Sequence, residues 1–230
     1  PLAFRQDILA GKLAGRSRDV LLRSRFELIS QSVVTGATRR KLRGMDPVAD
    51  VCDGEGSESC ILNFGLELEC ENGVCGNRGL QRRAFVTTEA FKTKDRGWGL
   101  RLTADAAKGA MVEEYVGEIV EPSEFWKRFD ATDIADPLYF CEFVDGLIID
   151  ATYKGSFARL INHACTPNAR LQHRSVAGWR RVVVVMIEDG KAGEEVTVAY
   201  RLPDGVNRMW QKCLCGRRGC VSGKGAGAGV

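Results

Sequence analysis

The chain has 230 residues, 44% hydrophobic and 27% charged, enough for one globular core with small appendages. No run of about 18 apolar residues occurs, so neither a membrane span nor a membrane partner is expected. The formal net charge of +3 is uneven: residues 1–46 hold ten Lys/Arg against four Asp/Glu, the remainder 23 against 26, and a basic arm on a mildly acidic body suits either a phosphate-bearing partner or a solvated helix face.

Residues 1–45 read as helical, because Ile8, Leu9, Leu13, Val20, Leu21, Leu22, Phe26, Leu28, Ile29 and Val33 recur at roughly helical spacing. Gly11, Gly15 and Gly36 mark breaks. The cluster Arg39, Arg40, Lys41 and Arg43 is either a contact for DNA backbone or a soluble linker. Residues 46–83 show little periodicity and carry Cys52, Cys60, Cys70 and Cys75, so this stretch is expected to need a metal to fold. From residue 84 the pattern is one of short strands: Met111–Val120, Leu138–Phe143, Leu147–Ile149, Arg180–Ile187 and Glu195–Ala199 are rich in Val, Ile, Phe and Tyr. Asp145-Gly146 is a hairpin turn signal, since Gly accepts positive φ. Pro122-Ser123-Glu124 opens a short helix running through Phe129, with Pro placed where its missing N–H costs nothing. No regular strand–helix alternation appears, which argues against a Rossmann-type sheet. Residues 222–230 contain only Ser, Gly, Lys, Ala and Val and read as a flexible tail. The start at Pro1 reads as that of a fragment. Nine cysteines, an odd number, argue against a complete disulfide framework, and Cys213-x-Cys215 has a metal-ligand spacing.

Five ordered blocks carry a resemblance. They are Arg96-Gly97-Trp98-Gly99, Glu114 to Glu118, Ile149-Asp150-Ala151-Thr152, Ala158 to Asn168 with Asn162-His163 and Cys165 inside it, and Gly193 to Tyr200. Alone each is weak: Asn-His is a common dipeptide, and a Tyr ending a strand is commonly a core residue. In this order, followed by Cys213, Cys215 and Cys220, they resemble the SET-domain protein lysine methyltransferases. Cys75-Gly-Asn-Arg-Gly-Leu-Gln-Arg is similar to the end of the AWS module that precedes some SET domains.

The resemblance implies a mainly β fold with short helices: small sheets, a pseudoknot-like threaded C-terminal segment, zinc-stabilised modules on either side, and an N-terminal helical segment. The expected parts are a basic helical segment (1–46), an AWS-like module (47–83), the SET domain (84–201), a post-SET zinc clip (202–221) and the tail (222–230). Tyr200 matches the family's catalytic tyrosine and Tyr115 a tyrosine lining the lysine channel. Arg96, Gly97, Trp98, Leu138, Tyr139, Arg159, Asn162, His163, Gln211 and Leu214 match positions at or supporting the S-adenosylmethionine site. Cys165, Cys213, Cys215 and Cys220 are expected to form one S4 zinc site. Cys52, Cys60, Cys70 and Cys75 are fewer than the AWS norm and imply one further zinc. Val198 stands where relatives often carry Tyr or Phe, which leaves the methylation degree open; Ala164 and Ala169 also depart from the family pattern. The linker from Arg201 to Lys212, with Trp210, is a candidate for self-blocking of the substrate channel.

The function so implied is methylation of a histone lysine in the nucleus, on chromatin, with lysine 36 of histone H3 in nucleosomes the favoured target. Lysine 4 of histone H3 and a non-histone lysine are the alternatives. A catalytically silent scaffold that binds chromatin and a zinc-stabilised nucleic-acid-binding protein are the readings from other classes. Non-specific DNA contact through the basic N-terminal segment would accompany nucleosome docking.

Overall fold

A computed structural model describes residues 26–35, 38, 39, 42, 52, 57–71, 75–131, 139–200, 213–217, 219 and 220. The expectations for residues 1–25, the linker 201–212, Leu138, Gln211 and the tail 222–230 lie outside the described residues. Among the described residues no helix is long and apolar enough to cross a membrane.

Among the described residues the fold is mainly β, with small sheets and two short α-helices. Strands β5 (Met111–Glu114), β11 (Ala169–Val176) and β12 (Trp179–Met186) form an antiparallel sheet in the order β11-β12-β5. The second half of β12 is Val182-Val183-Val184-Val185-Met186, buried throughout. Successive strand residues point to opposite faces. Val182, Val184 and Met186 therefore enter the main core beside Val112, Leu100 and Leu102, while Val183 and Val185 enter a second cluster with Leu80. A run apolar on both faces is what a strand with two covered sides requires.

A second sheet has the order β2-β6-β8-β7, from Val33–Val34, Glu118–Val120, Ile148–Asp150 and Phe140–Glu142. The expected single strand Met111–Val120 is split into β5 and β6 at Gly117. A Cβ there would run into the backbone carbonyl of Asp150, so the close approach of β8 demands glycine. Asp145 and Gly146 take φ of 52° and 74° in the tight turn joining β7 to β8, and Leu147 N–H closes it on the Val144 carbonyl at 3.0 Å. Helix α2 (Pro122–Asp130) starts with Pro in its first turn and buries Phe125 against Phe140, ring centroids 4.8 Å apart. Arg128 ties it down by bonds to Glu118 (3.1 Å) and Asp150 (3.0 Å), and an i,i+4 bond to Glu124 (3.0 Å) braces the helix itself.

Several elements differ from what the local sequence pattern suggests. Residues 26–34 are not helical: β1 (Glu27–Leu28) pairs in parallel with β9 (Lys154–Gly155), and β2 pairs in parallel with β6. Two β-branched residues meeting an open sheet edge override a weak helical pattern. The Cys-rich stretch, expected to be irregular, holds helix α1 (Glu58–Gly65), whose first turn is capped by Ser57 Oγ accepting from Cys60 N–H at 3.2 Å. The hairpin β3 (Thr88–Lys92) with β4 (Trp98–Leu102), and β11 itself, also went unread.

Candidate active site and metal centres

The site is built on a buried 3-10 turn, Phe157–Leu160, and the strand after it, β10 (Asn162–His163). Ser156 Oγ accepts from Ala158 N–H at 3.2 Å and donates to the Glu114 carbonyl at 2.5 Å, fixing the turn to the end of β5. Strand β10 then pairs in parallel with β13 (Thr197–Val198), so segments distant in sequence lie side by side and Tyr200 emerges next to Asn162-His163.

Four residues expected at the site converge on one cavity of about 350 Å³: Tyr115, Tyr139, Arg159 and Tyr200 line it, with Ile161 and Val198. The Tyr200 hydroxyl donates to the Ile161 carbonyl at 2.6 Å. Burial, reinforced by Tyr139, raises its pKa further above the usual phenol range, and burial does the same to Tyr115, so both phenols stay protonated. The Arg159 guanidinium carbon stands over two rings, 3.7 Å from the Tyr139 centroid and 4.1 Å from that of Phe26, and the group donates to the Thr152 carbonyl at 3.1 Å. Burial lowers its pKa from the usual guanidinium value.

Arg96, Gly97, Trp98, Asn162 and His163 do not line this cavity. They form a second group held by a carboxylate that sequence reasoning did not single out. Glu195 accepts from Arg96 Nη2 at 2.7 Å through one oxygen and from Asn162 Nδ2 at 2.9 Å through the other. Asn162 Nδ2 also donates to the Trp98 carbonyl at 3.1 Å. The Asn162 amide is thus spent on protein, closing the 96–98 loop onto β10. Asn168 is the second omission: its Nδ2 donates to Glu194 Oε1 and the Glu195 carbonyl, and its Oδ1 accepts from Thr197 N–H at 2.8 Å, which fixes the approach to β13. Both residues lie inside the matched blocks, and the available signal was a charged or amide side chain flanking a buried apolar strand.

His163 joins this group to a metal centre. Its Nδ1 accepts from Tyr200 N–H at 3.1 Å, which places the ring proton on Nε2, 3.5 Å from Cys165 Sγ. Burial holds its pKa below the usual imidazole value, in keeping with a neutral ring. Cys165 meets Cys213, Cys215 and Cys220 with all four sulfurs within 4.8 Å of one another. The sulfurs of Cys52, Cys60, Cys70 and Cys75 satisfy the same limit in a separate, buried group. A tetrahedral zinc with Zn–S of about 2.3 Å needs sulfurs about 3.8 Å apart. Cys165 lies 3.7 Å from Cys213 and 3.9 Å from Cys220, and Cys60 lies 3.3 Å from Cys75. Each group could therefore hold one zinc ion. In the Cys52, Cys60, Cys70 and Cys75 group, Asn63 and Asn77 amides donate to Cys70 Sγ at 3.5 and 3.4 Å, the outer-shell bonding that favours a thiolate. Leu214, between two of the clip cysteines, is exposed.

Small sheets, a buried turn threaded beside a distant strand and a tyrosine-lined cavity define the class, and residues 97–201 match the family described as SET domain: the chain carries a SET domain. Its relatives are histone-lysine methyltransferases. Over 222 residues, 90% of the chain, it is 33% identical to "Histone-lysine N-methyltransferase ash1" of Drosophila melanogaster. Over 174 residues, 72% of the chain, it is 37% identical to "Histone-lysine N-methyltransferase, H3 lysine-36 specific" of Homo sapiens, and over 181 residues, 75% of the chain, 36% identical to the protein of that name in Schizosaccharomyces pombe. The chain spans only 10%, 6% and 22% of the lengths of these relatives.

Proposed function

We propose that this chain is an S-adenosylmethionine-dependent protein lysine N-methyltransferase acting on histone H3, at lysine 36 in nucleosomes. The observation that carries the reading is the cavity that gathers Tyr115, Tyr139 and Tyr200 beside the Asn162-His163 strand. The printed names of the relatives support the target.

A lysine has a pKa of about 10.4, so presenting it neutral at pH 7 costs roughly 4.6 kcal/mol. Walls such as Ile161, Val198 and the tyrosine rings disfavour the ammonium form and lower that cost. The Tyr200 hydroxyl donates its hydrogen bond to the Ile161 carbonyl and stays protonated, which leaves its oxygen lone pairs free to accept from the amine N–H and aim the nitrogen lone pair. Arg159, over the Tyr139 ring, holds that ring in place at the cavity wall. Val198 is smaller than an aromatic side chain, so the cavity floor leaves room for a bulkier nitrogen substituent.

S-adenosylmethionine supplies, when bound, a methyl group on a positively charged sulfur. The residues that would hold it or support its site are Arg96, Gly97, Trp98, Asn162 and His163, together with Tyr139, Arg159, Leu214, Leu138 and Gln211. Trp98 Nε1 supports the fit: it is a buried donor with no hydrogen-bond partner among the described residues, and a ligand in this loop would satisfy it. Zinc would be structural, since four thiolates fill a tetrahedral ion and leave no open position. In this reading the first cysteine group belongs to an AWS-like module and the second to a post-SET clip. The protein is nuclear and chromatin-associated, and the basic segment around Arg39 adds non-specific DNA contact.

The test is transfer of labelled methyl from S-adenosylmethionine to recombinant nucleosomes by the wild type and by Tyr200→Phe, with the modified position read by mass spectrometry. Label on lysine 36 of histone H3, reduced on the order of 100-fold or more in the variant, is the expected result. Label on another lysine would reassign the substrate. Cofactor binding without transfer to any histone would point to a non-histone target or to blocking by residues 201–212, and loss of both would leave a chromatin-binding scaffold.

A further inference from the structure

Residues 97–201 match the SET domain, but one of the groups that steadies its cavity comes from well outside that span. Strand β1 lies on β9 in parallel, with Glu27 opposite Lys154 and Leu28 opposite Gly155. It is fastened there by Glu27 N–H to the Tyr153 carbonyl (2.7 Å) and Ile29 N–H to the Gly155 carbonyl (2.9 Å). Strand β9 leads directly into the buried turn that carries Arg159. Phe26, half-buried, is the residue before β1, and its ring centroid lies 4.1 Å from the Arg159 guanidinium carbon. The Tyr139 centroid lies 3.7 Å from the same carbon, and Tyr139 and Arg159 both line the tyrosine cavity.

Arg159 depends on those rings. A guanidinium has donors only and always carries its charge. Arg159 is 8% exposed; among the described residues its hydrogen bond goes to the Thr152 carbonyl, and it forms no ion pair. Its Nε is buried with no hydrogen-bond partner among them. Asp150, whose charge reaches it, is already engaged by Arg128 at 3.0 Å and by Thr152 N–H at 2.9 Å. A buried cation without a carboxylate of its own is costly, and aromatic faces are the groups left to offset the charge. Of the two rings, Phe26 is the one that takes no part in lining the cavity.

We propose that Phe26 is a positioning residue for methyl transfer. Its ring face holds the Arg159 guanidinium over Tyr139, and so fixes the Tyr139 ring on the wall of the site that takes S-adenosylmethionine. The inference rests on the methyl-transfer reading, and it makes residues 26–34 part of the catalytic unit rather than an appendage to it.

The test compares the full wild-type chain with Phe26→Leu, which keeps apolar bulk but loses the ring face, and Phe26→Tyr, which keeps the face. In the ligand-free protein the Arg159 Nε–H nuclear magnetic resonance signal, shielded by the rings, is expected to move downfield in Phe26→Leu and to stay near its wild-type position in Phe26→Tyr. By calorimetry S-adenosylmethionine should bind Phe26→Leu about fivefold more weakly, and its KM should rise in step, while the KM for a histone H3 peptide changes by less than about twofold. Phe26→Tyr should match the wild type in each measurement. Wild-type affinity and KM in Phe26→Leu, or a loss in Phe26→Tyr equal to that in Phe26→Leu, would overturn the proposal. Equal rises in both KM values would also overturn it, by assigning Phe26 to the fold in general. A wild type that transfers methyl to no lysine would sink the methyl-transfer reading and this inference with it, an outcome told apart from the others because all three proteins would then be inactive alike.

Discussion

The two four-thiol groups have the same chemistry but draw their ligands from the chain differently. Cys52, Cys60, Cys70 and Cys75 come from one short stretch and surround the inner side of α1. Cys165 comes from the end of β10 and meets Cys213, Cys215 and Cys220 from the far end of the chain. The first arrangement closes small loops and organises a module that has little apolar core of its own: its buried cluster consists of the cysteines themselves. The second closes a long loop and sets the C-terminal clip beside His163, which touches both Cys165 and the backbone of Tyr200. One group should therefore govern local folding and the other the alignment of the site.

Substitutions can break this contrast. Cys213→Ser is expected to lower methyl transfer on the order of 100-fold while the strands of the core keep their hydrogen-exchange protection. A collapse of protection across β11 and β12 would show that the clip stabilises the whole fold. Cys60→Ser should act the other way round: α1 loses its protection, while activity on a free histone H3 peptide falls by about tenfold or less. Activity lost as fully as in Cys213→Ser would remove the distinction between the two centres.

Glu195 sharpens the comparison from within the site, because it holds Arg96 and Asn162 without help from either thiol group. Glu195→Ala should raise the KM for S-adenosylmethionine by about tenfold, with the KM for peptide little changed. Glu195→Gln, which keeps an acceptor for Asn162, should recover part of that loss. Equal rises in both KM values would mean that the residue supports the fold generally.

The smallest effect concerns pH. Burial raises the Glu114 carboxyl to about 7, against the pull of Arg181 at 2.8 Å and of Arg83. A folded pKa above the unfolded value means that the folded state binds more protons between about pH 4.5 and 7. The contribution is then fully present below that window and lost as pH rises through it. Thermal denaturation of Glu114→Gln should accordingly show the variant gaining on the wild type from pH 5 to pH 8, by at most about 3 kcal/mol. A constant difference would show that Arg181 keeps the carboxylate ionised throughout.

Much of the site was legible because its residues fall in ordered blocks: Tyr200, Asn162, His163 and Cys165 come together as the resemblance implied. The turn at Asp145-Gly146 and the start of α2 at Pro122 were legible because backbone geometry there restricts the residue type. What escaped depends on partners rather than on local pattern. Strand β11 reads Ala-Arg-Leu-Gln-His-Arg-Ser-Val, with too few apolar residues to announce itself, and exists by pairing along all eight residues with β12. Strands β1 and β2 are two residues each and have meaning only against β9 and β6. Glu195 lies in a block that was read, but its task is defined by Arg96 and Asn162, which the chain brings to it only on folding.

The valine run of β12 is a wall shared by two rooms. Val184 and its even-numbered neighbours belong to the core that carries the tyrosine cavity, Val183 and Val185 to the cluster around Leu80. Adjacent codons thus answer to different neighbours. The chain can refit its Leu80 side through one set without disturbing the other, and the two faces are free to diverge at different rates while sharing one backbone.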